Sequence, residues 1–256
     1  MSGPVRVAIA GASGRMGLAL LEAAAQTDGV QLGAAIDLAS STWGGVTIGT
    51  DVRSALANSD VLIDFTRPAG TLAHVEQCVA AKRAMVIGTT GFDPEQLAAI
   101  RKAAKAVPIV LAPNMSIGVN VAMKLVEMAA RALGPDFDVE VFEMHHRKKV
   151  DAPSGTALKL GEVAAKARGV TLDRDGVFGR HGVTGERKAG TIGFSVARGG
   201  DVVGDHTVYF AGPGERIEVT HRSSSRATYA QGAMRAAKFV FGKPPKLYDM
   251  DDVLGL

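Results

Sequence analysis

Val5-Arg6-Val7-Ala8-Ile9-Ala10-Gly11-Ala12-Ser13-Gly14-Arg15-Met16-Gly17 is the stretch that decides the fold. Its first six residues predict a strand, its glycines a tight loop, and the Ala/Leu-rich residues that follow a helix to about Ala25. Such glycines let the backbone turn sharply and approach a pyrophosphate, whose charge then rests on the helix N-terminus. Asp37 closes the next predicted strand, 37 − 17 = 20 residues after the last glycine. There a dinucleotide fold needs a carboxylate to accept hydrogen bonds from the adenosine ribose. The spacing is GxxGxxG rather than GxGxxG, and a tight strand–helix turn with an incidental Asp is the bland alternative. No GK[ST] follows, which disfavours a nucleoside-triphosphate loop.

Outward from this loop, short β-branched runs at 30–36, 61–65, 85–87 and 109–111 alternate with helical stretches at 68–82 and 93–105. The second of these opens on Asp93-Pro94-Glu95, an N-cap with Pro at the first helical position. This alternation predicts a parallel sheet covered by helices on both faces. After about residue 115 the rhythm changes. A helix at 119–133, a strand at 137–145 and a helix at 156–168 precede a Gly- and charge-rich stretch and three β-like runs at 191–197, 206–210 and 216–220. Ala211-Gly212-Pro213-Gly214 makes the last two an antiparallel hairpin. A final helix at 227–240 sets Ala230, Ala233, Met234, Ala237 and Phe241 along one face. The fold class expected is α/β: a Rossmann-like dinucleotide-binding domain, 1–115 with 226–256, carrying an inserted α+β catalytic and oligomerisation domain, 116–225.

The composition suits an ordered protein of one large or two modest cores: 256 residues, 46% apolar and 21% charged. A net charge of 29 − 26 = +3 over that length is weak evidence for nucleic acid, and none is expected as a partner. Cys78 is the only cysteine, so no intramolecular disulfide forms, and its place in a helical apolar pattern predicts a buried, inert thiol. No apolar run reaches the ~18 residues of a membrane span, and the first residues lack the layout of a signal peptide. The expected location is cytoplasmic, with no membrane partner.

Glu140-Val-Phe-Glu143-Met-His145-His146-Arg147-Lys148-Lys149-Val-Asp151-Ala-Pro153-Ser154-Gly155-Thr156-Ala157 is the most informative segment for chemistry. A strand delivers two histidines and several cations into a loop, and Pro153-Ser154-Gly155-Thr156 reads as the capped start of a helix. Free amides at that start can hold a carboxylate, with the Ser154 or Thr156 hydroxyl as a further donor. His145 is a candidate proton carrier and Lys149 a candidate cationic donor or acid. Glu143 and Asp151 read as orienting or capping groups. Adjacent strand residues point to opposite faces, so His145 and His146 do not chelate one metal, and no metal is expected. His74, His181 and His206 have no motif support and are expected to be structural or solvated. A solvated basic strand end with a satisfied histidine is the alternative reading of the whole segment.

The same segment resembles the signature of the 4-hydroxy-tetrahydrodipicolinate reductase (dihydrodipicolinate reductase) family of the diaminopimelate route to lysine. The resemblance is collinear over nearly the whole chain. It includes Gly11–Gly17, Asp64-Phe65-Thr66-Arg67-Pro68, Gly88-Thr89-Thr90-Gly91-Phe92, Ala112-Pro113-Asn114-Met115-Ser116-Ile117-Gly118-Val119-Asn120 and His221-Arg222-Ser-Ser-Ser225-Arg226. It implies His145 as proton donor or acceptor, Lys149 as second proton donor, and His146, Gly155 and Thr156 as carboxylate ligands. It further implies Gly11, Ala12, Ser13, Gly14, Arg15 and Met16 on the cofactor phosphates and Asp37 on the adenosine ribose. Gly88, Thr89, Thr90, Ala112, Pro113, Asn114 and Met115 are implied on the nicotinamide half. For Arg226, a helix-start or interdomain salt-bridge role is as compatible as substrate contact. The resemblance also implies a homotetramer joined through the sheet of the second domain, a small dicarboxylate substrate, and NADH and/or NADPH as cofactor. One departure is informative: Asp37 is followed by Leu38-Ala39-Ser40-Ser41-Thr42, without the Arg with which many relatives hold the 2′-phosphate of NADPH. The rival classes are a non-catalytic dinucleotide sensor, which needs no His145, Lys149 and Thr156 together, and an aldehyde or amino-acid dehydrogenase, whose second-domain motifs are missing.

Overall fold

The structure, a computed structural model, describes residues 3–225 and 227–256. Along the chain run β1 (Val5–Ala10), α1 (Arg15–Gln26), β2 (Val30–Ile36), β3 (Ser41–Trp43), β4 (Val46–Ile48), α2 (Val52–Ala57) and β5 (Val61–Asp64). Then come α3 (Pro68–Ala81), β6 (Ala84–Ile87), α4 (Pro94–Ala103), β7 (Ile109–Leu111), α5 (Ile117–Leu133), β8 (Asp138–His145) and α6 (Gly155–Ala167). The rest comprises α7 (Leu172–Asp175), β9 (Gly176–Val177), β10 (Ile192–Arg198), β11 (Gly204–Gly212), β12 (Glu215–Ser223), α8 (Ala227–Val240), β13 (Leu247–Tyr248) and α9 (Met250–Leu254). The chain divides into two compact units, 1–117 with 226–256, and 118–225.

In the first unit a six-stranded sheet has the order β13-β7-β6-β5-β1-β2, with every pairing parallel. Helices cover both faces, so β5 and β6 are buried at every position and read as unbroken apolar runs. Successive residues of β1 serve two cores. Val7 and Ile9 pack with Leu20 and Leu21 of α1 and with the alanines of α8. Ala8 and Ala10 face the other way, toward Leu56, Val75, Cys78 and Ile100 on α2, α3 and α4. From β1 the chain goes out to β2 on one side and returns to β5 on the other. The carboxyl end of β1 is therefore a topological switch point, where open α/β sheets bind ligands.

Beyond the short elements α2, α7, β9, β13 and α9, which the sequence reading did not include, two features depart from the expected elements. A hairpin, β3 with β4, follows Asp37, closed by Gly44 and Gly45, both at positive φ. Three-residue arms are too short to show a period of two, so this hairpin has no pattern to read. Phe241 does not join the buried face of the last helix: α8 ends at Val240 and Phe241 is 41% exposed, whereas Ala230, Ala233, Met234 and Ala237 are fully buried. Arg226 lies outside the described residues.

In the second unit a mixed sheet has the order β12-β11-β8-β10-β9. β10 runs parallel to β8, while β11 is antiparallel to both β8 and β12. The expected hairpin is present, with β11 and β12 joined through Pro213-Gly214. One face packs Val139, Val141, Phe194, Val208 and Phe210 against Val126 and Ala130 of α5 and Leu160 and Ala164 of α6. No helix among the described residues is long and apolar enough to cross a membrane.

Candidate active site

In the first unit the strands are parallel, so the loops after β1, β2, β6 and β7 all leave the same edge of the sheet. Gly11–Gly14 with the first residues of α1, Arg15 and Met16, and then Asp37, Gly88–Thr90 and Ala112–Met115 lie at those four strand ends. Gly11 sits at φ +70, and a side chain there would press on Thr66 Cγ2 in the neighbouring loop, 2.9 Å from the position a Cβ would take. Gly17 lets α1 pass under that loop, because a Cβ at Gly17 would run into the Gly11 carbonyl. Gly14 is the N-cap of α1 and no side chain caps the helix, so its first-turn amides have no side-chain acceptor. Such an end is built for an anionic group. Asp37 accepts from the Ser13 amide at 2.9 Å and from the Leu38 amide at 2.7 Å. Partial burial pushes Asp37 up, but these hydrogen bonds outweigh it and hold the carboxyl below its ordinary range. These residues fit a nicotinamide dinucleotide.

Asp64, at the end of β5 and fully buried, knits two of the loops together. It accepts from the Thr66 amide (2.8 Å) and from the hydroxyls of Thr66 (2.7 Å), Thr71 (3.0 Å) and Thr89 (3.1 Å). His74 Nδ1 lies 2.6 Å from the other Asp64 oxygen, so this histidine is structural. Burial alone would raise Asp64, and these donors reverse the effect. The Thr89 hydroxyl is committed to Asp64 and Thr71, and the Ala112 and Met115 side chains are buried in the core. Cys78 is buried with its thiol pushed up to about 12, by burial first and by Asp64 second, so it is no nucleophile.

In the second unit the site continues the core. Val139, Val141, Glu143 and His145 alternate along one face of β8, apolar over the helices and polar at the strand's carboxyl end. Register supplies the rest: His206 of β11 stands opposite Glu143, and Arg198 of β10 stands opposite His145. Glu143 is fully buried, with Oε2 2.5 Å from His145 Nδ1. The Arg198 guanidinium straddles both Glu143 oxygens, at 2.9 and 3.0 Å, and the Ser154 amide donates to Oε1 at 3.0 Å. Burial raises Glu143, but the bonds from Arg198, His145 and Ser154 hold it below the usual carboxylate range. An ionised carboxylate only accepts, so His145 Nδ1 carries the hydrogen and Nε2 is the atom left to exchange a proton.

Ser154 caps α6, its Oγ accepting from the Ala157 amide at 3.1 Å and lying 3.0 Å from His206 Nε2. Gly155 and Thr156 thus stand in the first turn of α6, directly after the capping Ser154. The His206 ring meets that of His145 edge-on at 5.0 Å, and burial, then His145, push His206 down to about 4. His206 is therefore neutral and packed into the site, not merely structural. Lys149 Nζ pairs with Asp151 at 2.8 Å. His146 lies just past the strand end, its carbonyl accepting from the Lys149 amide at 3.1 Å. Among the described residues, no three His, Cys, Asp or Glu side chains could hold a metal.

An imidazole oriented by a buried carboxylate, a lysine and a helix start together suit an anion that gains a proton. The N-terminal family profile described as dihydrodipicolinate reductase matches residues 5–115, and the C-terminal one matches 118–254. The chain belongs to the dihydrodipicolinate reductase family. It is an oxidoreductase with a Rossmann-like first unit that takes a nicotinamide cofactor. Relatives named 4-hydroxy-tetrahydrodipicolinate reductase include that of Bordetella pertussis, 59% identical over 99% of this chain and 98% of that protein. That of Thiobacillus denitrificans is 57% identical over 98% of this chain and 99% of its own. Among solved structures, dipicolinate-bound dihydrodipicolinate reductase from Paenisporosarcina sp. TG-14 superposes with TM-score 0.81 at 26% identity, covering 97% of this chain and 98% of that one. In this member of the dihydrodipicolinate reductase family, no local sequence signal marks Arg198 or points His206 to the site. Only strand register, a non-local property, brings them beside Glu143 and His145.

Proposed function

We propose that this chain is a cytoplasmic 4-hydroxy-tetrahydrodipicolinate reductase of the diaminopimelate route to lysine, giving tetrahydrodipicolinate. The observation that carries the reading is the Glu143–His145 pair, with Lys149 in the loop that leads to the Ser154-capped start of α6, in a chain of this family. The bound nicotinamide dinucleotide supplies a hydride to the unsaturated ring of the dehydrated substrate. Gly11, Ala12, Ser13, Gly14, Arg15 and Met16 hold its phosphates, Asp37 its adenosine ribose, and the loops at 88–90 and 112–115 its nicotinamide half. His146, Gly155 and Thr156 hold the two carboxylates. His145 at Nε2 and Lys149 at Nζ carry the proton that quenches the developing carbanion or enamine. The protein works as a homotetramer joined through the second unit's sheet. Supporting this, Phe142 is 37% exposed on the sheet face turned away from α5 and α6.

The test is steady-state oxidation of NADH with freshly generated substrate, with pyridine-2,6-dicarboxylate competing against that substrate. Absence of turnover with either NADH or NADPH overturns the reading. Thr156→Val is expected to raise KM for the substrate more than it lowers kcat, because the clamp grips ground state and transition state alike. A fall in kcat at unchanged KM places the clamp elsewhere.

NADH serves at least as well as NADPH. Asp37 is fixed and ionised at the end of β2, and Leu38 beside it is 99% exposed, with no cation in the following four residues. A 2′-phosphate there meets like charge and lacks an Arg partner, a handicap of roughly 1–2 kcal/mol, or about 5- to 30-fold. Ser40, Ser41 and Thr42 as neutral donors, and Arg15 at the start of α1, offset part of it. Leu38→Arg shifts the ratio of kcat/KM toward NADPH. A wild-type preference for NADPH of about tenfold or more, at one ionic strength, contradicts this reading of Asp37 and Leu38.

A further inference from the structure

The structure assigns Arg198 as the residue that positions both proton carriers of the site, His145 through Glu143 and Lys149 through the Asp151 segment. The assignment rests on the proposed role of His145 and goes beyond it. Arg198 is the last residue of β10, placed beside the end of β8 by their parallel pairing. Its Nη1 donates to Glu143 Oε2 (2.9 Å) and to the Ala197 carbonyl (2.7 Å). Its Nη2 donates to Glu143 Oε1 (3.0 Å) and to the Asp151 carbonyl (2.6 Å). One planar group thus grips a buried carboxylate with both arms and the catalytic loop with one of them, a geometry only a guanidinium offers.

Each grip has a chemical consequence. Held between Arg198 and the Ser154 amide, Glu143 stays ionised despite complete burial, so it accepts from His145 Nδ1 and fixes one tautomer. The Asp151 carbonyl bond sets the loop whose Asp151 carboxylate holds Lys149 Nζ at 2.8 Å. The groups around His145 are Glu143 on its own strand, Arg198 on β10, His206 on β11 with His221 across the hairpin, and Lys149 and Asp151 in the loop. The start of α6 adds only the uncharged Ser154 and Ala157. Glu143 is thus the anion at the His145 ring, and Arg198 the cation that holds it there.

The charges predict opposed shifts that a merely structural role would not produce. Glu143→Gln removes the anion and moves the His145-dependent limb of the kcat/KM pH profile to lower pH. Arg198→Met removes a cation and leaves His145 as the chief counter-charge of Glu143, so the limb moves to higher pH. Both variants lower kcat by roughly 10–10³-fold, at or below the loss of about 10²–10⁴-fold typical of removing the acid or base itself. Arg198→Lys keeps the charge but not the fork, so its limb stays near wild type while kcat still falls. The second readout is ¹⁵N NMR of ring-labelled histidine in the full-length protein, without substrate. The neutral wild-type ring bears its hydrogen on Nδ1, and Glu143→Gln gives a tautomer mixture. The dinucleotide Kd, set by loops of the first unit, serves as the folding control and stays unchanged. A neutral ring protonated at Nε2 in the wild type, or limbs that move the same way or not at all in folded variants, overturns the assignment. A tautomer that changes in Glu143→Gln while kcat does not supports the positioning and overturns His145 as the proton carrier instead.

Discussion

His145→Gln and Lys149→Ala each lower kcat by about 10²–10⁴-fold, the span typical of a lost general acid or base. His145 is 8% exposed at the end of β8, and its Nδ1 is tied to the buried Glu143 carboxylate, an arrangement suited to proton transfer. With Nδ1 held by the carboxylate, Nε2 is the atom proposed to transfer the proton. Lys149 contributes a second N–H donor from the adjoining loop, held by Asp151. Because both are proposed to serve one protonated product, the double variant is expected to fall far less than the product of the two single effects. The measurement is kcat at saturating NADH and substrate for the four proteins. Near wild-type kcat in both single variants contradicts the assignment.

Gly232→Ala costs about 3 kcal/mol or more of stability and lowers the thermal midpoint by roughly 6–12 °C. Gly232 lies in α8 against the loop that leaves β7, and a Cβ there would fall on the Met115 carbonyl oxygen. Backbone cannot swing aside as the tip of a flexible side chain can. The helix cannot retreat either, because Ala230, Ala233, Ala236 and Ala237 are all fully buried against the sheet and α1. The strain is expected to displace the loop at 112–115, so dinucleotide binding weakens as well. Gly179→Ala is the control: its Cβ meets nothing within 4 Å, and the change is expected to stay within about 0.5 kcal/mol. Equal midpoints for the two variants contradict the packing argument.

The sequence by itself determined the α/β class, the parallel first sheet and the antiparallel pair at the end of the second, because these rest on local patterns. Buried parallel strands such as β5 and β6 must be apolar throughout, and the glycines after β1 are demanded by a close loop–helix approach. It also marked His145, Lys149, Gly155 and Thr156 through one uninterrupted segment, and the structure sets His145 at a strand end, Lys149 in the loop that follows, and Gly155 and Thr156 at the helix start after it. Tertiary structure decided what surrounds them. The run at 191–197 could have paired with any neighbour, and only parallel pairing of β10 with β8 brings Arg198 to Glu143. Antiparallel register with β11 likewise turns His206 from an unassigned residue into the neutral partner of Ser154 and the edge-on neighbour of His145. A shift of one residue in either pairing would send these side chains to the opposite face of the sheet. That choice is made by the packing of Val139, Val141, Val208 and Phe210 against α5 and α6, contacts between residues far apart in the chain that no local pattern encodes.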